Sequence, residues 1–373
     1  MPGSLQIGRL LGIPLRINPS WMVIFAAVTY FLIAGGFPAR YPLWSPVTYL
    51  VAGLITSVLF FVSVVLHELA HSIVARVLGI PVHSITLFVF GGVAQIARDP
   101  VLPAGELFMA AVGPLASFWL AVIFAAIWAI ARPFHEPTMA LAGWLAWLNL
   151  SLGFFNLLPG FPMDGGRMLR SLLWWATKNR AVATRMALSV GRVMAWLFVA
   201  GGLMLVLSDN RLLFNGVWLA FVGWFLGQAV SSSSRQSRVR EGLAGYSARD
   251  LMSQDLAWVP AGATLQEVTD EYAADRPHPW FLVAEEGLLK GMLTPVEIAK
   301  VQKRRWNEVT AEQAMRPVNR MPVVAPNAHA ADVLTEMEEQ GSGEAAVVVD
   351  GAVAGVVSHR EILSAAGVGR RWR

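Results

Sequence analysis

Ser63-Val64-Val65-Leu66-His67-Glu68-Leu69-Ala70-His71-Ser72-Ile73 lies in the middle of a nearly unbroken apolar run from Tyr49 to Leu78. On a helix, His67 and His71 fall one turn apart on the same face, so both imidazoles can reach one zinc ion while Glu68 is placed to polarise an attacking water. That is the chemistry of peptide hydrolysis. Two imidazoles and a carboxylate are costly to bury in hydrocarbon, so ionisable groups at membrane depth mark a functional site rather than packing. A chance occurrence of this spacing in a soluble helix would leave the histidines as ordinary surface or core residues, and the apolar context argues against it.

The composition points the same way. Of 373 residues, 55% are hydrophobic and 14% charged, with a mean hydropathy of +0.52, far from the balance of a soluble domain. An integral membrane protein is expected. There is no cysteine, which excludes disulfides, thiolate metal sites and cysteine nucleophiles, so zinc must be held by histidine and carboxylate. The formal charge is +4 and the pI about 9.7. The basic residues are nearly all arginines at the ends of apolar segments, which membrane orientation explains better than nucleic acid, so no nucleic-acid partner is expected. Arg9 and Arg16 precede an apolar stretch with no small-residue cleavage site, so the first span is expected to be retained.

The stretch Leu5 to Asn18, with Gly8, Gly12 and Pro14, reads as a short strand-turn-strand. Six spans are expected, near Trp21 to Ala34 (the shortest), Tyr49 to Leu78, Leu107 to Ala131, Met139 to Leu158, Val182 to Leu207 and Leu212 to Val230. The segment Pro81 to Ala97 is β-branched and aromatic with Gly91 and Gly92 inside it, and reads as a hairpin set into the membrane protein. Arg9, Arg16, Arg76, Arg98, Arg167, Arg170, Lys178, Arg180 and Arg185 crowd one set of loops, whereas the opposite set carries Arg40, Arg132 and Arg211. This asymmetry predicts both termini in the cytoplasm. Trp174 and Trp175 suit the interface. His67 precedes Arg76 by nine residues, which puts the metal about 14 Å from the cytoplasmic end of the helix and requires water to enter from that side.

From Ser231 to Arg240 the composition changes to Ser and Arg, and a flexible basic linker is expected over 231–243 between a membrane domain, 1–230, and a soluble domain, 244–373. The soluble part carries a weak repeat with a period of about 65 residues. One copy runs from Ala248 to Met252, through Phe281 to Ala284, to Gly291 to Ile298. The other runs from Ala311 to Met315, through Ala346 to Val349, to Gly355 to Ile362.

A hydrolytic zinc site needs a third protein ligand and one open position. Asp164 is the candidate, in a segment from Asn156 to Arg167 where Pro159 and Pro162 break the helix and Gly165 and Gly166 allow close backbone approach. Irregular backbone at membrane depth is tolerated where it lines a cavity. The plain alternative is a loop aspartate at the interface. Asn156 offers a fixed neutral donor for the oxyanion of peptide cleavage, the alternative being a helix-packing amide.

Taken together, the intramembrane His67-Glu68-x-x-His71, the later Asn156-x-x-Pro159-x-x-x-x-Asp164-Gly165-Gly166-Arg167 and the paired glycines between them resemble the site-2 protease family of intramembrane zinc metalloproteases. The likeness covers about residues 1 to 230. It implies that His67, His71 and Asp164 hold one zinc ion, that Glu68 is the base, and that a glycine-containing edge strand, here Phe88 to Val93 with Gly91 and Gly92, pairs with an extended substrate. A mere turn at Gly91 and Gly92 is the alternative. Strand pairing is physically apt because a transmembrane helix hides its peptide bonds and must unwind before attack. The implied substrate is a membrane-tethered protein such as an anti-sigma factor, a pro-transcription factor or a remnant signal peptide.

The C-terminal repeat resembles a tandem pair of cystathionine-β-synthase (CBS) domains, a module that often binds adenine nucleotides and dimerises. Where that module commonly carries Thr or Ser with Asp three residues later, this chain has Thr294 with Glu297 and Ser358 with Glu361. Nucleotide binding and a ligand-free docking or dimerising role both remain open, and no P-loop is present. The expected architecture is thus a membrane α-helical bundle of about six helices with a membrane-associated hairpin, followed by a cytoplasmic α+β CBS pair. A transporter gated by that pair would show a repeat among its spans, which is not seen. An inactive scaffold would have little reason to keep Glu68 beside intact ligands.

Overall fold

The computed structural model describes residues 4–367 apart from 90, 98, 162, 209–211, 273–279 and 287. Pro162, Arg98 and Arg211, which enter the expectations above, lie outside the described residues. The chain divides into two compact units, Met1–Ser234 and Arg235–Arg373.

The first unit opens with β1 (Leu5–Leu10) and β2 (Ile13–Ile17), joined through Leu11 and Gly12, both at positive φ. They form the antiparallel pair that the glycines suggested. β3 (Val82–Phe88) and β4 (Gly91–Ile96) form the second hairpin. Gly91 has φ +119°, a conformation that glycine reaches without strain. The two hairpins make one sheet in the order β1-β2-β3-β4, because β2 pairs in parallel with β3. That leaves β4 as an edge strand.

Among the described residues seven α-helices follow: α1 (Trp21–Phe31), α2 (Pro46–Val77), α3 (Pro103–Ala131), α4 (Glu136–Asn156), α5 (Asp164–Thr177), α6 (Arg180–Ser208) and α7 (Leu213–Leu243), the last ending beyond Ser234. Five of them, α2, α3, α4, α6 and α7, are long and apolar enough to cross a membrane. At the short first span expected over Trp21 to Ala34 there is an apolar helix over Trp21–Gly36, 11 α-helical residues and a π-turn, shorter than those five. Pro46 and Pro103 sit in the first turns of α2 and α3, where the missing N–H costs nothing, and the Ser45 hydroxyl caps α2 by accepting from the Thr48 amide at 3.2 Å.

The flexible linker expected over 231–243 is corrected by the structure. α7 runs without a break from the apolar span through Ser231–Ser234 to Leu243. Serine and arginine lower helix propensity only slightly, and residues 231–241 hold neither the proline nor the glycine that would end the helix. Leu243 is buried in the core of the second unit.

The second unit contains α8 (Ala248–Leu251), β5 (Trp258–Pro260), α9 (Leu265–Glu267), β6 (Phe281–Glu285), β7 (Leu288–Leu293), α10 (Pro295–Ala299), α11 (Ala311–Ala314), β8 (Arg316–Pro317), β9 (Val323–Val324), α12 (Ala330–Gln340), β10 (Glu344–Val349), β11 (Ala352–Ser358) and α13 (His359–Ala365). Two sheets, β5-β6-β7-β8 and β11-β10-β9, each join a parallel pair to an antiparallel hairpin. This is the repeat read from the sequence. Its leading helices are exchanged: Ala248 of α8 is buried in the core of the second module, while Ala311 of α11 is buried in the core of the first.

Candidate metal centre

Three elements bring the centre together. α2 carries His67, Glu68 and His71, and α5 starts at Asp164. The turn between α4 and α5 is tight because a Cβ on Gly165 would lie 2.3 Å from the Leu157 carbonyl oxygen, and one on Gly166 would lie 2.5 Å from the carbonyl carbon of Gly160. Asp164 is thereby placed on the first turn of α5, where free backbone N–H groups favour a carboxylate. α3 contributes the walls. The Ser117 hydroxyl lies 2.9 Å from His67 Nδ1, and His71 Nδ1–H donates to the Met109 carbonyl at 2.6 Å.

With Nδ1 of His71 spent as a donor, its Nε2 keeps a lone pair for a cation. Nε2 of His67 and Nε2 of His71 each lie 3.1 Å from Asp164 Oδ2, and 3.2 Å from one another. These atoms form a nearly equilateral triangle. Ligands about 2.0–2.1 Å from a tetrahedral zinc stand about 3.3 Å apart, so the triangle fits one face of such a site and leaves the fourth corner free. All three residues are buried, and together they are a group able to hold a metal ion. Gly113 of α3 supplies the room: a Cβ there would stand 2.2 Å from His71 Nε2 and 2.7 Å from His67 Nε2.

Glu68 is half-buried beside this triangle. Its Oε2 accepts the Ala94 amide of β4 at 3.1 Å, which ties the carboxylate to the open edge of the sheet. A Cβ on Gly92 would lie 2.5 Å from Glu68 Cγ. The paired glycines therefore have separate causes, a turn at Gly91 and close approach to Glu68 at Gly92. A cavity of about 520 Å³ joins His67, Glu68, His71 and Asp164 to Gly92, Val93, Asn156 and Arg167. Asn156, at the end of α4, donates one amide N–H to the Leu152 carbonyl at 2.9 Å.

Sequence reading missed Ser117, Met109 and Gly113, whose roles depend on packing of α3 against α2. It also missed a buried ion pair between Glu106 of α3 and Arg170 of α5, which holds the Asp164 helix against α3. A carboxylate directly before the expected span from Leu107 was the available signal for Glu106, which the structure places in the first turn of α3.

In the second unit Thr294 and Ser358 are the N-caps of α10 and α13. The Thr294 hydroxyl donates to Glu297, and Arg316 donates to the other Glu297 oxygen at 3.1 and 3.3 Å. Glu361 accepts from the Ser358 amide at 2.9 Å in a capping box. Burial raises the Glu297 pKa, but the Thr294 hydrogen bond and the Arg316 charge outweigh it and hold the carboxyl below the usual glutamate range.

A family profile described as peptidase family M50 matches residues 55–138 and 134–200, and a CBS domain profile matches residues 311–367. A Synechocystis protein named as a zinc metalloprotease is 35% identical over 369 residues, covering 97% of this chain and 95% of its own length. Rip3 of Mycobacterium tuberculosis, likewise named, is 30% identical over 372 residues, covering 97% and 92%. Among solved structures, the site-2 protease from Methanocaldococcus jannaschii is 30% identical and aligns over 61% of this chain and 94% of that one, with a TM-score of 0.43.

Proposed function

The chain belongs to peptidase family M50, a site-2-type zinc metalloprotease of the membrane with a C-terminal CBS unit, and on that premise we propose that His67, His71 and Asp164 hold the zinc ion and Glu68 is the base. The observation that carries the reading is the buried triangle of donor atoms. A zinc ion there supplies positive charge that polarises a peptide carbonyl and acidifies water. Glu68 accepts the proton of the attacking water and delivers it to the leaving amine. Asn156 offers its second amide N–H to the carbonyl oxygen. The edge of β4 at Gly91 and Gly92 holds the client extended, so that its peptide bonds are exposed rather than closed in a helix.

The substrate in this reading is a transmembrane segment of a tethered client, an anti-sigma factor, pro-transcription factor or remnant signal peptide, cut within the bilayer. Both termini and the second unit face the cytoplasm, in keeping with the arginine-rich loops. The CBS pair regulates cleavage as a homodimer, by docking the client or by binding an adenine nucleotide at Thr294, Glu297, Ser358 and Glu361. The docking role has the better physical support, because Glu297 already has internal partners in Thr294 and Arg316. Titration of the full chain with ATP in a calorimeter decides between them, heat favouring the nucleotide.

The test of the protease is zinc content of wild type and Asp164→Ala, paired with cleavage of a panel of single-span peptides in detergent. One zinc per chain, lost with Asp164→Ala, and cleavage that stops in a zinc-loaded Glu68→Gln support the reading. A folded wild type that binds no zinc and cleaves nothing sinks it.

A further inference from the structure

We infer that Arg167 is a catalytic residue of the same site, its guanidinium receiving the negative charge that develops on the carbonyl oxygen of the bond being cut. The inference rests on the protease reading above. Arg167 follows Asp164 by three residues on α5, one turn along the same face. It is half-buried and lines the cavity shared by His67, Glu68, His71 and Asn156.

Its neighbours on the same stretch are committed, Arg170 to Glu106 and Arg180 to Asp99. The Arg167 side chain has no hydrogen bond or ion pair among the described residues. Much of the cavity wall is apolar, with Phe88, Leu152, Phe155, Met163 and Phe225. A partly desolvated cation without a counter-charge is costly, and its five N–H donors are left without a protein partner on the wall of this cavity.

The movement of charge during the reaction defines its role. Glu68 and Asp164 carry two negative charges, which one divalent cation balances, and ligating histidines are neutral. When water adds to the carbonyl carbon, its proton passes to Glu68 and the C=O electron pair moves onto oxygen. That oxygen then carries the negative charge that Glu68 has lost, so the total is unchanged but the charge has moved from the carboxylate to the substrate, and among the described residues Arg167 is the arginine or lysine lining this cavity. Arg167 donates hydrogen bonds and keeps its proton. Asn156, a neutral donor with one N–H already given to Leu152, assists less. Because the ground-state carbonyl bears little charge, the contribution appears in kcat rather than KM.

The experiment compares wild type, Arg167→Gln and Arg167→Lys in detergent, using the panel peptide that wild type cleaves fastest and its analogue with a phosphonamidate at the mapped cleavage position. The expected result for Arg167→Gln is full zinc content, a KM within about threefold of wild type, and a kcat lower by about 10²- to 10³-fold. Its affinity for the tetrahedral, anionic phosphonamidate falls far more than its affinity for the parent peptide. Arg167→Lys recovers part of both losses, since it restores the charge but not the planar fork. An unchanged kcat, a raised KM alone, or equal weakening of both peptides overturns the assignment. Zinc loss in both variants overturns it too, as it makes Arg167 a structural support. A wild type without zinc or cleavage removes the protease reading and this assignment together, whereas an Arg167→Gln as active as a working wild type removes only the assignment.

Discussion

The candidate metal centre of the first unit and the Glu297 cluster of the second are both buried polar groups at positions where the sequence suggests a site, yet they are built in opposite senses. Glu297 is satisfied from within: Thr294 and Arg316 occupy its two oxygens, and Arg316 also reaches the Gly341 carbonyl at 3.1 Å. His67, His71 and Asp164 instead turn three acceptor-capable atoms toward one point, with the His71 ring fixed from behind by Met109. A polar motif becomes a binding site when its donor atoms converge on space the protein itself does not fill. Where a counter-charge from the same chain arrives first, the same kind of motif becomes part of the fold.

The sharpest way to break this contrast is to fill the space. Gly113→Ala places a methyl against both Nε2 atoms, whose rings are held by Ser117 and Met109 and have little room to retreat. The expected outcome is loss of zinc by metal analysis and a fall in cleavage of more than about 10³-fold, in a protein that still elutes as folded. Gly92→Ala is the next test, since its methyl strikes Glu68 and leaves the triangle alone. Zinc content should stay at wild-type level while kcat falls about 10²-fold, the cost of a base displaced by about 1 Å.

In the second unit Arg316→Ala should leave zinc content unchanged and lower stability by about 1–3 kcal/mol in denaturant unfolding, because buried Glu297 loses its nearer counter-charge and keeps only the exposed Lys300 at 3.7 Å. The folded pKa of Glu297 is lowered, so its contribution is present at neutral pH and is lost as pH falls below about 4.3, the ordinary glutamate value, through the folded one. Arg316→Ala should flatten that acid limb. The smallest effect is expected at Glu344, whose pKa is raised by burial first and by the Glu297 charge second, with Arg316 opposing. A raised carboxylate contributes stability at low pH that disappears as pH rises through its folded value, so Glu344→Gln should raise the neutral-pH midpoint by about 1 °C in calorimetry.

What could be read from the chain alone was whatever depends on near neighbours. The face shared by His67 and His71 follows from helix periodicity, and Asp164 stood out because Pro159 and Gly165 interrupt an apolar pattern beside it. Each hairpin was legible from its glycine turn. The parallel pairing of β2 with β3 was not, because residues such as Leu15 and Ile85 meet only after the helices between them have packed. The misread linker has a local cause as well. Serine and arginine suit a flexible tether and a solvated helix equally, and the choice was made by Leu243 finding a core to enter.

The amino-acid sequence alone carried the pattern of this protein: two histidines one turn apart in an apolar helix, a later carboxylate in a broken segment, and a repeated α/β unit behind. These are statements of composition and period, which one chain carries along its length. Tertiary structure alone decided that Asp164 would meet histidines more than ninety positions away, that Gly113 and Gly92 would be the empty places around them, and that Glu297 would be closed off by Arg316. The reason is physical. Distances of about 3 Å between remote residues are set by how whole helices and strands pack, and no local spacing encodes them.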